Sequence, residues 1–454
     1  MLSIVVFVYV ASGGLRSVAY VDCAQCILLA LGIVILGFIT LDLVGGWAAF
    51  KGGLATLAQT KPEMVAIPTR PESLSFLERA GTLFFDSAGG PWTCLMILTY
   101  MFALMGIQSA PAFSMWAFAN KDPKPFPWQQ VFASAFIIGG IMFFFTAFQG
   151  LGVRLLDDGL IPATEALSLP ASDYLVPYLI DTLATSFPFL LGLLAVCALA
   201  AMQSTGAAYM STASGIITRD LYRHFFNREA SNAAQVFVGR ISVAIVVTMA
   251  LLVGLASGDL LVLLGGLAVS YGFQMWPALL GICYIRFFTP RGIVYGLVAG
   301  LLAVTFTYIT ELGGIIGIGR YPLTLHSAGW GIIFNLGIAT LVSLFTQPRD
   351  DESRSHRDRY HNFLKEYTAL PKDKKHWKTP IWALTVVWFL CAIGPFAILG
   401  NETDPTLWSF GIPSLWIWQI TWWIIGCIMI YLLAFKLEMS TVPEREIESL
   451  SPEK

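Results

Sequence analysis

Ten stretches of this chain are long and apolar enough to cross a lipid bilayer, and no other feature narrows the fold as far. They lie near 19–44, 91–119, 128–150, 186–218, 238–256, 259–287, 292–312, 326–346, 380–400 and 411–436, after a short apolar opening segment, Met1–Ser12. A span takes about 20 mostly apolar residues. Lipid offers a backbone amide no hydrogen bond, so each span must satisfy its own and fold as a helix. Composition agrees. The chain is 56% hydrophobic and 12% charged, about half the charge of a soluble domain. These features describe an all-α polytopic membrane protein of about 10–11 transmembrane helices. A net charge of −2 leaves no basic footprint for nucleic acid. The stretch 171–185 is apolar but short and broken by Pro177, and is expected to lie on the outer face as a helix that does not span.

Charge gives an orientation. Lys and Arg accumulate in cytoplasmic loops. With the Gly13-Gly14 loop inside and each span crossing once, 21 of the 27 Lys and Arg fall on the cytoplasmic side. Loop 347–379 and the C-terminus are then cytoplasmic. No basic n-region or small-residue cleavage site precedes the first apolar run, so no cleaved signal is expected. The organisation reads as a core over 1–346, a charged cytoplasmic loop over 347–379 with a short helix near Tyr360–Tyr367, two further spans over 380–436, and a polar tail over 437–454.

Chemistry inside the spans is sparse. Ionisable groups there are costly and mark function. Asp22 is the clearest; Asp42, Asp181 and Asp259 lie at predicted span ends. All five histidines (224, 326, 356, 361 and 376) fall in loops or at helix ends, which argues against a membrane-embedded hydrolase or a histidine metal site. No enzyme is expected. The seven cysteines, including the Cys23-x-x-Cys26 pair, read as small core residues. The span 186–218 differs from the others: Ser204, Thr205, Ser211, Thr212 and Ser214 crowd its second half. Two accounts of these hydroxyls stand on the residues alone. They can bond back to the carbonyl one turn earlier. Alternatively, adjacent hydroxyls and a backbone carbonyl can offer neutral oxygens to a hard cation near the bilayer midplane.

Three stretches carry a family resemblance. "YVASGGLRSVAYVDCAQ" (Tyr9–Gln25), "AAMQSTGAAYMSTASGIITRDLY" (Ala200–Tyr222) and "FFTPRGIVYGLVAG" (Phe287–Gly300) occur in the order and at about the separations of the sodium:solute symporter family. That family includes the sodium–proline, sodium–glucose and sodium–pantothenate carriers. The resemblance covers about residues 1–346 and implies the five-plus-five inverted-repeat fold. It implies that Ala201 lends a carbonyl and Ser204 and Thr205 their hydroxyls to Na⁺, the coupling ion, with no cofactor. Asp22 matches an aspartate near the cytoplasmic side that influences sodium release. The resemblance also implies four to five further helices ahead of "YVASGG". Those would complete the first repeat, from a longer chain or a separate one; without them the chain is expected not to transport.

The function expected is sodium-coupled symport of a small organic solute across the plasma (inner) membrane by alternating access. The stretch "MGIQSAP" (Met105–Pro111) reads as an interrupted helix, which makes Gln108 and Ser109 candidate solute contacts. Tyr271 and Gln274, just before Pro277, are further candidates, or polar groups satisfied between helices. Pro111-Ala112 and Trp116 depart from the proline-type pattern, so proline contacts do not transfer by position. A proton-coupled carrier of the same fold, with Asp22 titrating, and a transporter-like sensor are the alternatives.

Overall fold

A computed structural model describes residues 2–67, 93–161, 174–181, 188–256, 261–309 and 320–441. Asp259, much of the stretch 171–185 and the tail beyond 441 lie outside them. Among the described residues every regular element is helical. Eight helices are long and apolar enough to cross a membrane, and a ninth crossing forms if one bent pair counts as a single span.

The helices are α1 (Leu2–Leu43), α2 (Gly46–Thr60), α3 (Cys94–Leu104), α4 (Gly106–Ser109), α5 (Pro111–Ala119), α6 (Phe126–Asp157), α7 (Leu175–Asp181) and α8 (Pro188–Phe226). They continue with α9 (Asn232–Ala256), α10 (Leu261–Phe273), α11 (Trp276–Cys283), α12 (Pro290–Tyr308), α13 (Ser327–Phe345), α14 (Asp351–Tyr367), α15 (Lys378–Ala392) and α16 (Ser414–Lys436).

Several boundaries differ from the sequence reading. The opening segment and first span join into α1, and the expected loop at Gly13-Gly14 is a kink, with Gly14 at φ 60°. The span expected at 380–400 stops after 15 residues at Ala392 and continues as a tighter helical turn over Pro395–Gly400. The loop helix begins at Asp351, where Asp350 caps it by accepting from the Ser353 amide. The hydroxyl-rich helix runs past 216 into wider i→i+5 turns as far as Phe226. Helix α2 was not anticipated; it buries Phe50, Leu54 and Leu57 completely.

The described residues form two compact units. The first comprises residues 1–56 and 137–260. Its centre is the packing of α1 on α8, with α6 and α9 alongside. A buried core of Leu36, Val153, Leu179 and Leu194 ties α1, α6, α7 and α8 together. Small residues allow the approach: a Cβ on Gly32 would sit 2.6 Å from the Cys197 Cβ. The cysteines divide. Cys94 and Cys197 are buried, whereas Cys23, Cys26 and Cys283 are exposed on helix flanks and are not core residues.

The second unit comprises residues 57–136 and 261–454. Its closest packing is α12 against α13, where Gly292, Gly296 and Gly300 are buried. The backbone of α13 comes so near that a Cβ on Gly296 would lie 2.6 Å from the Asn335 carbonyl oxygen. Helices α3, α4 and α10 complete this group, and α15 pairs with α16.

Candidate functional site

In the first unit the kink at Gly14 divides α1 into two arms, and both reach the same residue of α8. From the first arm, the Tyr9 hydroxyl donates to the Gln203 carbonyl at 3.4 Å. From the second, Gln25 Nε2 donates to Gln203 Oε1 at 3.2 Å. Carbonyls of the first arm take side-chain donors beside the kink. The Ser12 hydroxyl bonds to the Val8 carbonyl at 2.6 Å, and Arg240 of α9 donates to the Ala11 carbonyl at 3.1 Å.

Ser204 and Thr205 follow Gln203 directly. Both hydroxyls donate to the Ala201 carbonyl, at 3.2 Å and 3.5 Å. Both hydroxyls are therefore back-bonded within α8, the first of the two accounts open on the residues alone, and this sets the three oxygens nominated as sodium ligands side by side. Each hydroxyl proton is held by its own helix, and the hydroxyl lone pairs stay available to a cation. Ser204 is half-buried and Thr205 is exposed. Ser211 and Thr212 repeat the pattern one step on, both donating to the Ala208 carbonyl at 2.9 Å. Ser214 alone of the five crosses helices, donating to the Gly239 carbonyl at 2.9 Å. Asp22 lies one turn before Gln25. Its Oδ1 and Gln25 Oε1 are buried acceptors with no partner among the described residues.

The second unit holds the two helix interruptions. Helices α3 and α4 meet α5 at a 50° bend beside Pro111, in the stretch expected to be broken. Helices α10 and α11 are a second interrupted span, where one continuous helix was expected. Turns from Tyr271 to Gln274 and from Gly272 to Met275, at 3.1 Å each, join its halves. The two breaks lie against each other. The Ser109 hydroxyl donates to the Gly272 carbonyl at 2.7 Å, and the Trp276 indole donates to the Met105 carbonyl at 3.1 Å. Gly106 allows this approach, since a Cβ there would stand 2.0 Å from the Val269 carbonyl oxygen.

The four candidate solute residues lie at these two breaks and differ in exposure. Gln108 is exposed, while Ser109 and Gln274 are buried. Gln274 Nε2 donates to the Ser270 carbonyl at 3.1 Å. Asn335 of α13 reaches into the same break and donates to the Gln274 carbonyl at 2.8 Å. Tyr271 shares a 2.7 Å hydrogen bond with Thr305 of α12. In this arrangement Ser109, Tyr271 and Gln274 hold helices together.

Tyr9, Gln25, Gln203 and Asn335 were not singled out as candidates. The signal for Asn335 was present, a lone amide in mid-span "IIFNLGIA". His326 is at a helix end, as expected, yet only 1% exposed. Its ring Nδ1 caps α13 by accepting from the Ala328 amide at 3.4 Å, between Tyr100 and Tyr321 at 4.8 Å and 5.2 Å. Among the described residues no group of three or more His, Cys, Asp or Glu could hold a metal ion.

A succession of apolar helices, two of them interrupted and clasped at their breaks, defines a multi-pass membrane protein of carrier architecture. The chain belongs to the sodium:solute symporter family, whose model matches residues 1–300. Its relatives are carriers, not enzymes. The osmoregulated proline transporter of Bacillus subtilis is 23% identical over 76% of this chain and 62% of its own length. The sodium-dependent multivitamin transporter of Oryctolagus cuniculus is 27% identical over 76% of this chain and 51% of its own. A sodium/proline symporter of Staphylococcus aureus is 22% identical over 67% and 54%. The chain thus spans less than two thirds of the length of each of these relatives. Among solved structures, a Na⁺-coupled sialic acid symporter in a substrate-bound outward-open state has the same fold. Its TM-score is 0.54 at 18% identity, over 76% of this chain and 66% of that one.

Proposed function

We propose that the chain acts in sodium-coupled symport of a small organic solute across the plasma membrane by alternating access. The observation that carries this reading is the oxygen cluster of Ala201, Ser204 and Thr205 on α8. Both hydroxyl oxygens lie within 3.5 Å of one carbonyl oxygen, in the stretch that resembles the family's sodium-binding helix. Such oxygens suit Na⁺, a hard cation that can shed its water only where ligands replace it. Alternating access requires that ions favour one state over another. A cluster completed by a neighbouring helix in one state and not in the other supplies that difference. The kink of α1 and the paired breaks of the second unit are places where such a motion can bend. Solute then binds beside Met105–Pro111, and Asp22 lies on the ion's way to the cytoplasm.

Orientation belongs to the same reading, with loop 347–379 and the C-terminus cytoplasmic. The positive-inside count supports it. So does the meeting of segments near 128, 377 and 436 at one end of the second unit, where Lys436 lies over the Trp377 ring at 5.7 Å and Trp128 packs 5.6 Å from Phe435.

The test is ²²Na⁺ binding to the protein purified from its native membrane with whatever further segments accompany it there. Saturable binding competed by unlabelled Na⁺ and not by choline is expected. Ser204→Ala/Thr205→Ala should weaken it at least tenfold; unchanged affinity overturns the ion assignment. Sodium-driven uptake of radiolabelled proline is the first solute assay, because two relatives carry that name. A proton-coupled carrier is the second reading, favoured by the partnerless Asp22 oxygen. It requires uptake driven by a pH gradient without Na⁺ and abolished by Asp22→Asn.

A further inference from the structure

Three helix ends meet in the second unit. They are the start of α6, the start of α15 and the end of α16. Ser440 donates to Gln130 Oε1 at 2.8 Å, and Lys374 pairs with Glu438, so chain segments on both sides of α16 are tied to its end. Stretches 121–124, 372–378 and 436–438 carry seven lysines against three carboxylates. Lys372, Lys375 and Lys378 are exposed. Lys378 opens the 15-residue helix α15 and Lys436 closes the span α16, so this charge gathers at the end of a span, where tryptophans such as Trp128 and Trp377 also belong.

A second feature continues from the charge into the apolar region. Lys378, Trp382, Val386 and Leu390 recur every four residues on α15 and so share one face. Trp382, Val386 and Leu390 are 46%, 57% and 38% exposed. One helix face thus runs from ammonium through indole to aliphatic side chains. That sequence of chemistries is the one a phospholipid presents from phosphate to acyl chain. A free phosphate uses only its first member.

We propose that this corner is a binding site for one anionic phospholipid. Its headgroup is held by Lys372, Lys375 and Lys378, and an acyl chain lies along Trp382, Val386 and Leu390. Each lysine near an anionic headgroup contributes on the order of 1 kcal/mol, so removing three charges weakens binding about a hundredfold.

Native mass spectrometry of the detergent-solubilised protein tests this with phosphatidylglycerol and phosphatidylcholine of matched chains, and with inorganic phosphate as competitor. Retention of phosphatidylglycerol over phosphatidylcholine is expected, lost in Lys372→Gln/Lys375→Gln/Lys378→Gln and restored by Arg at the same positions. Trp382→Ala should weaken the lipid and leave inorganic phosphate unaffected. Equal retention of both lipids, or an unchanged triple Gln variant, overturns the proposal. Displacement of the lipid by millimolar phosphate assigns the lysines to a free anion and overturns it too. The lipid-selectivity and Arg arms keep the test decisive should the Gln variant fold poorly.

Discussion

Gln203 receives both arms of α1, through its carbonyl from Tyr9 and its side chain from Gln25. Its neighbour Ser204 belongs to the oxygen cluster, so bending of α1 at Gly14 is felt one residue from the proposed ion. A single hydrogen bond contributes about 1 kcal/mol net. Gln203→Ala and Gln25→Ala should each weaken ²²Na⁺ binding about fivefold, and the double variant no further than the worse single one. Fully additive losses in that cycle would show that the pair does not act as a unit. Gly106 is a purely steric case. With its would-be Cβ 2.0 Å from the Val269 oxygen, Gly106→Ala should cost about 1–3 kcal/mol, read as a lowered unfolding temperature in detergent. Gly254→Ala, where nothing lies within 4 Å of the added carbon, is the control and should not lower it.

At the level of the helices, interruption is the recurring device, and each break is satisfied by a neighbour. Asn335 closes the α10–α11 break at the Gln274 carbonyl. Asn335→Leu leaves that carbonyl bare in a dry site and should cost about 1–3 kcal/mol, seen as faster hydrogen exchange at 271–276. Helix α14 is held by a different device. Arg286, beyond α11, pairs with Asp358 at 3.6 Å and donates to Asn362; Arg357 donates to Gln347 at 3.0 Å. His361 is buried in this contact. Burial, then Arg286 and Arg357, lower its pKa from the usual 6.5, against a smaller opposing effect of Asp358. The docked helix therefore binds the proton less readily than the undocked one. Stability is full above the usual histidine pKa of about 6.5 and is lost as pH falls through it towards the lowered value. Protection factors over 351–367, measured after correction for the intrinsic pH dependence of amide exchange, should fall between pH 7.5 and 5, and His361→Gln should flatten that dependence. The first break was readable from Gly106 and Pro111. The second carried the same signal, Gly272 and Pro277 inside the expected span 259–287, since a mid-helix proline removes a backbone hydrogen bond, but a proline alone also fits a merely kinked continuous helix. Helix α2 could have been found: Trp47, Phe50, Leu54 and Leu57 keep helical spacing, but Lys51 and three glycines hide it from a search for apolar runs.

Over the whole molecule, the contacts divide the chain into 1–56 with 137–260 and 57–136 with 261–454, a division unlike the sequential one at 346 and 379. Each unit takes segments from distant parts of the chain, and the composition shifts of the sequence, such as the charged loop 347–379, do not coincide with the unit boundaries. The topology is testable at this scale. Single cysteines at Lys124 and Lys375, in an otherwise cysteine-free background, should resist a membrane-impermeant maleimide on intact cells. One at Asp404, between α15 and α16, should react. Labelling of all three from outside would refute the orientation.

The sequence by itself determined the solvent, and through it the structure class: backbone amides in lipid leave a chain of long apolar runs no form but helices. It also located the hydroxyl cluster and one helix break, since a polar or helix-breaking residue inside such a run stands out. Only the tertiary structure decided which way those groups face. It returned Ser204 and Thr205 to the Ala201 carbonyl, tied both arms of α1 to Gln203, and set Asn335 into the second break. The reason is that lipid and protein interior are about equally apolar. A membrane helix therefore carries little periodic record of its buried face, and its partners are fixed only by the close packing of small residues and by the few polar groups that must find one another.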